Sequence, residues 1–396
     1  MTLPIFLLHN GSSALSSSAA PEKASRHLVY IKANSTSCLT VRSEKLRVKL
    51  LTHGQNRIEE MAAAEIPSVK LMDGTSIPVL GLGTWKSKPG EVKAAVEAAI
   101  SAGYRHIDCS PVYENEAEVG DAIAAKIKDG TVTREKLYIV SKLWQTYHEP
   151  DDVEAGLKVT LKDLQVEYLD LYLMHFPIGF KQQSGHTSAR DANNQIITTD
   201  RDYVDTWKAM EKLVEKKLVR SIGVSNFNEK QIDRILENCT IKPVTNQVIL
   251  YGVQYVIFYV ILKYILQVEC HPYFNQKSLS DHCANKGIIL TAYSPFASPD
   301  RSWASPDEPK LLEDPALVAV AKKYNKTVAN ILLRYQIERG HITIPKSVSP
   351  DRITQNKHIF DFKMEPSDIS HIEKLNRPDG RVVLMSFCKD HKYYPF

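Results

Sequence analysis

The sequence predicts an α/β protein that folds as a (β/α)8 barrel, also called a TIM barrel, with an N-terminal β-hairpin. Along residues 61–396, eight short apolar runs alternate with amphipathic stretches of helical period. This alternation is typical of a parallel sheet, which eight strand–helix units can close into a barrel. A doubly wound open sheet is the alternative. No third glycine follows Gly81-Leu82-Gly83 at the spacing of a dinucleotide fingerprint, so no Rossmann domain is expected.

The elements follow one another in a regular order. A hairpin is predicted at residues 68–78, with its turn at Asp73-Gly74. Asp151 and Asp202 are predicted helix N-caps, and Pro350 is predicted to begin a late helix. The strands are predicted at residues 79–82, 104–108, 137–141, 168–175, 219–224, 244–248, 288–293 and 342–345. The helices between them are predicted at residues 91–102, 117–128, 153–164, 203–216, 230–237 and 277–286.

The composition is that of an ordinary globular chain, with 43% apolar and 24% charged residues. A net charge of +4 over 396 residues is too weak to indicate a nucleic-acid or membrane-surface partner. The six cysteines form no CxxC pair, which favours reduced thiols in a cytoplasmic protein and gives no sign of a metal site. We therefore expect a cytoplasmic protein without nucleic-acid partners.

Residues 1–60 differ from the rest of the chain. They are rich in serine, contain four acidic residues and show no amphipathic period. We interpret them as a disordered extension before a natural start at Met61, with the barrel in residues 61–396. The alternative is a transit peptide that directs the protein to an organelle.

An apolar segment at residues 248–267 interrupts the predicted barrel. Sixteen of its 20 residues are apolar, which is long enough for a membrane span. The pair Gln-Val occurs at both of its ends, and removing the segment leaves a smooth strand-to-loop sequence. We favour a retained in-frame intron or an error in exon assignment over a membrane tether. Such a segment promotes aggregation if exposed, so we expect the chain to be less stable and less active with it.

Polar residues follow seven of the eight predicted strands, at the rim where barrel enzymes carry out their chemistry. Tyr113 lies in the loop after Asp108, and a free phenol with a pKa of ~10 is a poor acid at neutral pH. We predict that the ammonium of Lys142, held charged by Asp108, lowers the pKa of Tyr113. His175 would orient a substrate carbonyl oxygen. The alternative is that Asp108 and Lys142 form a purely structural ion pair.

These residues could protonate a carbonyl oxygen, but no side chain carries a hydride, so a nicotinamide cofactor is implied. Lys346, Ser347, Arg352 and Asn356 cluster around the start of the late helix. Two cations at a helix N-terminus can bind an anion such as the 2′-phosphate of NADPH. The alternative is an exposed basic helix start with no ligand.

Four segments resemble signatures of the aldo-keto reductase family, in particular its animal aldose and aldehyde reductase branch. The resemblance covers residues 66–396 apart from 248–267. It implies a monomeric NADPH-dependent enzyme that reduces aldehydes and ketones to alcohols. The segments are GYRHIDCSPVY at 103–113, LYLMHFP at 171–177, GVSNF at 223–227 and IPKSV at 344–348.

The resemblance also implies roles for individual residues. Tyr113 would donate the proton, Lys142 and Asp108 would adjust the pKa of its phenol, and His175 would orient the carbonyl. Phe176 stands where aldose reductases commonly have tryptophan, which alters the pocket, and residues 383–387 match the loop that sets substrate choice. The implied pocket walls are Trp85, Val112, Trp144, His175, Phe176 and Trp303.

Further residues would contact NADPH. Ser225, Asn226 and either Gln247 or Gln267 match the carboxamide contacts, and Tyr293 matches the residue that stacks on the nicotinamide. Thr84, Trp85 and Asp108 belong to the same end of the site. Ser294, Phe296 and Ser298 match the pyrophosphate loop, Lys346, Ser347 and Arg352 the 2′-phosphate site, and Gln355 and Asn356 the adenine site. The alternatives are a catalytically impaired isoform, because of the insertion, and a non-catalytic cofactor-binding member, which the complete tetrad argues against.

Overall fold

The computed structural model of the protein describes residues 65–71, 74–241 and 264–396. The predicted extension at 1–60, Gln247 and residues 248–263 of the apolar segment lie outside these ranges. Within the described ranges, no helix is long and apolar enough to cross a membrane.

The predicted N-terminal hairpin is present. Strands β1 (Ser68–Lys70) and β2 (Ser76–Pro78) pair antiparallel, and Gly74 at their turn has a φ of +83°, which glycine adopts without strain. Ile77 of β2 is fully buried and packs in one cluster with apolar residues of the barrel strands, including Tyr138 and Leu171. The hairpin therefore covers the apolar interior of the barrel at one end.

Eight parallel strands form the barrel that the sequence predicts. The strands are β3 (Gly81–Gly83), β4 (His106–Asp108), β5 (Tyr138–Leu143), β6 (Leu169–Met174), β11 (Val219–Ser225), β12 (Tyr264–Glu269), β13 (Ile288–Tyr293) and β14 (Ile342–Thr343). The sheet order is β14-β13-β12-β11-β6-β5-β4-β3, and parallel bridges from Leu80 to Thr343 and from Gly83 to Lys346 join its first and last strands. The sheet thus closes on itself.

The sixth barrel strand differs in position from the prediction. The predicted strand at 244–248 lies outside the described residues, whereas β12 takes the sixth place between β11 and β13. Residues 264–267, the last four of the apolar segment, therefore belong to the barrel sheet.

Helices surround the sheet. Asp202 caps its helix by accepting a hydrogen bond from the Val204 amide at 2.9 Å, as predicted. The prediction for Asp151 is wrong, because Asp152 holds that N-cap position and makes no side-chain cap bond. The helices are α1 (Val92–Ser101), α2 (Glu116–Lys128), α3 (Val153–Asp163), α4 (Tyr203–Glu215), α5 (Glu229–Asn238), α6 (Lys277–Asn285), α7 (Pro315–Tyr324), α8 (Val328–Glu338), α9 (Pro350–Asn356) and α10 (Pro366–Glu373).

A small subdomain follows β6. Strands β7 (Gly179–Phe180) and β10 (Thr198–Thr199) pair, and β8 (Gln182–Ser184) pairs with β9 (Thr187–Ser188) between them. The indole N–H of Trp144 donates to the carbonyl of His186 at 3.1 Å, which fixes this subdomain beside the rim of the barrel.

Candidate active site

A buried ion pair forms the floor of the candidate site. The ammonium of Lys142, on β5, donates hydrogen bonds to both carboxylate oxygens of Asp108 at 3.0 and 2.8 Å, and to the carbonyl of Cys109 at 2.8 Å. The Lys142 side chain is wholly buried. Because β4 and β5 are parallel neighbours, both side chains reach the same end of the barrel, as predicted.

Tyr113 lies in the short 3₁₀-helix Pro111–Tyr113 that follows β4. Lys142 Nζ is 5.0 Å from the centroid of the phenol ring. Desolvation raises the pKa of Tyr113 well above its usual 10.0, and the Asp108 carboxylate raises it further. The expected net lowering of this pKa is therefore wrong, because the loss of water outweighs the effect of an ammonium whose charge is paired with Asp108. The phenol keeps its proton at neutral pH.

His175 follows β6 and faces Tyr113. The two ring centroids are 6.2 Å apart in an edge-on arrangement. Burial lowers the pKa of His175 well below 6.5, and Lys142 lowers it further, so the imidazole is neutral. Its Nδ1 is 3.2 Å from Ser110 Oγ, while Nε2 makes no hydrogen bond within the described part of the chain. A neutral ring thus offers one nitrogen to a ligand.

Aromatic rings line the space around His175. The Trp144 ring meets His175 edge-on at 5.5 Å, and Phe176 stacks on it at 5.4 Å. The phenylalanine in place of tryptophan is buried and belongs to an apolar cluster with Phe180 and Met385 of the C-terminal loop. This side of the pocket therefore has a flat apolar wall.

Trp85 and Trp303 form the outer wall. Their ring centroids are 6.4 Å apart, and Trp85 lies 6.4 Å from Tyr113. Trp303 is 53% exposed, and its indole N–H donates to the Val382 carbonyl at 2.9 Å. Val112 lies next to Tyr113 in the same 3₁₀-helix and is partly exposed. The predicted wall residues are therefore gathered at one mouth.

Polar groups at the ends of β11 and β13 form a connected network. The Asn226 amide donates to Ser225 Oγ at 3.1 Å and to the carbonyl of His175 at 2.9 Å. The Tyr293 hydroxyl donates to Asn226 Oδ1 at 2.8 Å. Asn226 has a φ of +61°, a conformation that asparagine tolerates better than most residues. This backbone turn places its amide beside the tetrad.

Gln267 joins this network to the ion pair. Its amide donates to Asp108 Oδ1 at 2.7 Å, and its backbone carbonyl accepts from Ser225 Oγ at 3.0 Å. Thr84 is buried on the other side and donates to the Asp108 carbonyl at 2.8 Å. Of the two candidate glutamines, Gln267 lies in the site and Gln247 lies outside the described residues.

Cations converge at the end of β14. Lys86 Nζ lies 4.8 Å from the Trp85 ring and 4.3 Å from the Trp303 ring, is shielded from solvent and has no hydrogen-bond partner among the described residues. Desolvation lowers the pKa of Lys86, Asp300 opposes this, and Arg301 and Lys346 lower it further. A shielded ammonium that lacks a hydrogen-bond partner in the described part of the chain, with other cations nearby, fits an anionic diphosphate chain.

The remaining predicted cofactor residues lie in the loop after β13 and in the segment that runs from the end of β14 through α9. The Ser294 and Ser298 hydroxyls are 2.7 Å apart, and Phe296 between them packs against the core. Ser347 Oγ accepts from the Ser349 amide at 3.2 Å, and Ser349 caps α9 by accepting from the Arg352 amide at 3.4 Å. Gln355 is exposed and Asn356 is buried at the end of the same helix.

Sequence reasoning missed three polar residues at the site. Ser110 contacts His175, as described above. Glu116 accepts from Ser141 Oγ at 2.6 Å and is buried next to the ion pair. Glu269 lies two residues beyond Gln267, hence on the same face of β12. That alternation was the available signal for Glu269.

The described residues contain no cluster of three or more His, Cys, Asp or Glu side chains that could hold a metal ion. The five cysteines in the described ranges are free thiols.

Known proteins are similar to this chain in sequence and in fold. "Aldo-keto reductase family 1 member A1" of Gallus gallus is 48% identical over 337 residues, covering 83% of this chain and 97% of the relative. The protein of the same name in Homo sapiens is 46% identical over 328 residues, covering 83% of this chain and 94% of the relative.

Two solved structures match the fold. The aldose reductase of Schistosoma japonicum has a TM-score of 0.72 and 38% identity, covering 83% of this chain and 98% of that chain. The Bombyx mori aldo-keto reductase in complex with NADP has a TM-score of 0.71 and 40% identity, covering 84% and 100%. The sequence profile described as "Aldo/keto reductase family" matches residues 79–253 and 261–377. The chain belongs to the aldo/keto reductase family.

Proposed function

We propose that this protein is an NADPH-dependent reductase of aldehydes and ketones, acting as a monomer in the cytoplasm. Family membership supports carbonyl reductase activity in general, and a neighbour solved with NADP supports the cofactor. The observation that carries the proposal is the tetrad: Tyr113 and His175 face one space above the buried pair of Lys142 and Asp108. We propose residues 61–396 as the catalytic domain.

Tyr113 is the proton donor in this proposal. Its raised pKa keeps the phenol protonated until negative charge develops on a carbonyl oxygen placed beside it. The proton then moves from the Tyr113 oxygen to the substrate oxygen, and the nearby Lys142 ammonium stabilises the phenolate that forms. His175, being neutral, donates a hydrogen bond to the same oxygen and orients it.

NADPH would lie along the ends of the strands. When bound, the nicotinamide supplies the hydride that no side chain can carry. Asn226 and Gln267 would hold its carboxamide, and Tyr293 would lie against its ring. Lys86 and Lys346 would hold the phosphates, since Lys86 is shielded and lacks a hydrogen-bond partner among the residues that the structure describes. Arg352 completes the cationic set for a 2′-phosphate.

Replacing Tyr113 by phenylalanine tests the proposal. Tyr113→Phe removes the proton and keeps the ring, so we expect turnover of small aldehydes to fall by ~10²- to 10⁴-fold, the usual contribution of a general acid. NADPH binding, followed by fluorescence, should change little. Tyr324→Phe is the matched control, because Tyr324 hydrogen-bonds Asp368 on the surface helices α7 and α10. Substantial turnover by Tyr113→Phe would refute the assignment.

A further inference from the structure

We infer that Ser110 is a positioning residue that selects the tautomer of His175 carrying its proton on Nε2. This inference deepens the proposed function and rests on it. Ser110 lies two residues beyond Asp108 in the loop that leads to Tyr113, and its side chain is fully buried. Its hydroxyl oxygen is 3.2 Å from His175 Nδ1.

The Ser110 hydroxyl does not cap the helix that follows it, although serine commonly does so at this position. Ser110 is the residue before the 3₁₀-helix Pro111–Tyr113, where serine often accepts a hydrogen bond from a nearby backbone amide. Here its side chain makes no such cap bond, and the Tyr113 amide bonds the Ser110 carbonyl instead, at 3.0 Å. The one partner of the hydroxyl within the described residues is the imidazole.

The direction of this hydrogen bond follows from the hydrogens available. If Nδ1 carried the proton, Ser110 would accept, and its own buried hydroxyl hydrogen would have no acceptor. A buried donor without a partner is unfavourable, whereas a spare lone pair on an oxygen is not. The hydroxyl therefore donates to a bare Nδ1. Because burial keeps the ring neutral, its single proton must then lie on Nε2.

This tautomer is the one that the reaction needs. Nε2 makes no hydrogen bond within the described part of the chain, and its ring faces Tyr113. With a proton there, His175 donates to a carbonyl oxygen; with a lone pair there, it would repel that oxygen. The stacked Phe176 and the edge of Trp144 hold the ring plane but cannot choose between its two nitrogens.

The test uses the full chain labelled with ¹⁵N-histidine, with the His175 signals identified by their loss in His175→Asn. In the parent chain we expect a bare Nδ1 and a protonated Nε2. In Ser110→Ala both tautomers should be populated, and kcat should fall roughly three- to tenfold, the value of one net hydrogen bond. Ser110→Thr, which keeps the hydroxyl, should restore both.

Ser280→Ala is the matched control. The Ser280 hydroxyl lies 2.7 Å from His341 Nε2. His341 immediately precedes β14, so this serine–histidine pair lies at the end of the barrel opposite the site. Its loss should leave the His175 signals and turnover unchanged. Unchanged His175 signals in Ser110→Ala would overturn the inference, and Ser110→Cys, which keeps the volume, gives the same readout if the alanine variant unfolds. The tautomer signals are measured without turnover. A chain that shows these signals but does not reduce aldehydes would support this inference and contradict the proposed reductase activity.

Discussion

Glu116 is a carboxylic acid placed where water cannot reach it. Burial raises its pKa to about 8, against an ordinary value of 4.5, although the Ser141 hydroxyl bonds one of its oxygens. The other oxygen has no hydrogen-bond partner within the described residues. Near neutral pH this side chain is therefore a neutral group beside the charged floor of the site.

The raised pKa of Glu116 makes stability depend on pH. Below pH 4.5 both folded and unfolded chains hold this proton, so it has no effect. Between pH 4.5 and about 8 only the unfolded chain releases it. The free energy of unfolding therefore falls as pH rises across this range, by about 1.4 kcal/mol per pH unit.

Glu116→Gln should remove this dependence. In urea unfolding we expect the variant to match the parent chain near pH 5 and to exceed it near pH 8. Glu118→Gln on the same helix serves as the control, since the Glu118 carboxylate bonds the exposed Gly90 amide at 2.9 Å. Parallel curves for Glu116→Gln and the parent chain across this range would contradict the prediction.

Individual residues of the tetrad were predictable because each lies near the carboxyl end of a parallel strand or in the loop that follows it, and such strands end at one rim. The pKa of Tyr113 was not, because it depends on how much water the packed loops exclude. The same reason explains Ser110: its neighbour His175 is 65 residues away in sequence. Contacts of this kind leave no local pattern.

Glu269 joins the end of β12 to the C-terminal loop. Its buried carboxylate accepts from the amides of Val382 and Val383, both at 2.8 Å, and from His271 Nε2 at 2.9 Å. The Val382 carbonyl in turn accepts from Trp303. One carboxylate thus fixes the loop that borders the pocket.

Glu269→Gln should loosen this loop, because an amide can accept from only one of its two terminal atoms. We expect KM for aldehydes to rise several-fold with a smaller change in kcat, and the fluorescence of Trp303 to change. Glu313→Gln, on the exposed side of the 3₁₀-helix Leu311–Glu313, is the control. An unchanged KM would show that the loop is held by other contacts.

Most strands and helices of the barrel were predictable because apolar runs alternate with stretches of helical period. The predicted boundaries lie within a few residues of those in the structure. Helices α7, α8 and α10 were not predicted, although Asp314 and Thr327 cap the first two with side-chain hydrogen bonds. Helix α7 follows a long loop, α8 follows α7 after three residues, and α10 follows α9, so none of the three comes directly after a strand. Strand six was ambiguous because residues 244–247 and 264–267 both end in glutamine followed by valine.

The effect of the apolar segment on the whole barrel can be measured by comparing the full chain with one that lacks residues 248–267. A chain without residues 248–267 must build its sixth strand from residues 244–247, which again place a glutamine before Val268. We expect this shorter chain to melt at a higher temperature and to turn over NADPH faster, because it lacks an aggregation-prone segment. Equal or lower values for the shorter chain would contradict this prediction.

The joining of β3 to β14 also bears on how the protein is made. Leu80 pairs with Thr343, so the first strand waits for a partner synthesised 263 residues later. At ~5–20 residues per second, the ribosome needs roughly 13 to 50 s to reach it. Throughout that interval the nascent sheet has two open edges, to which other chains can add. Chaperones that shield such edges during translation should therefore raise the yield of this protein.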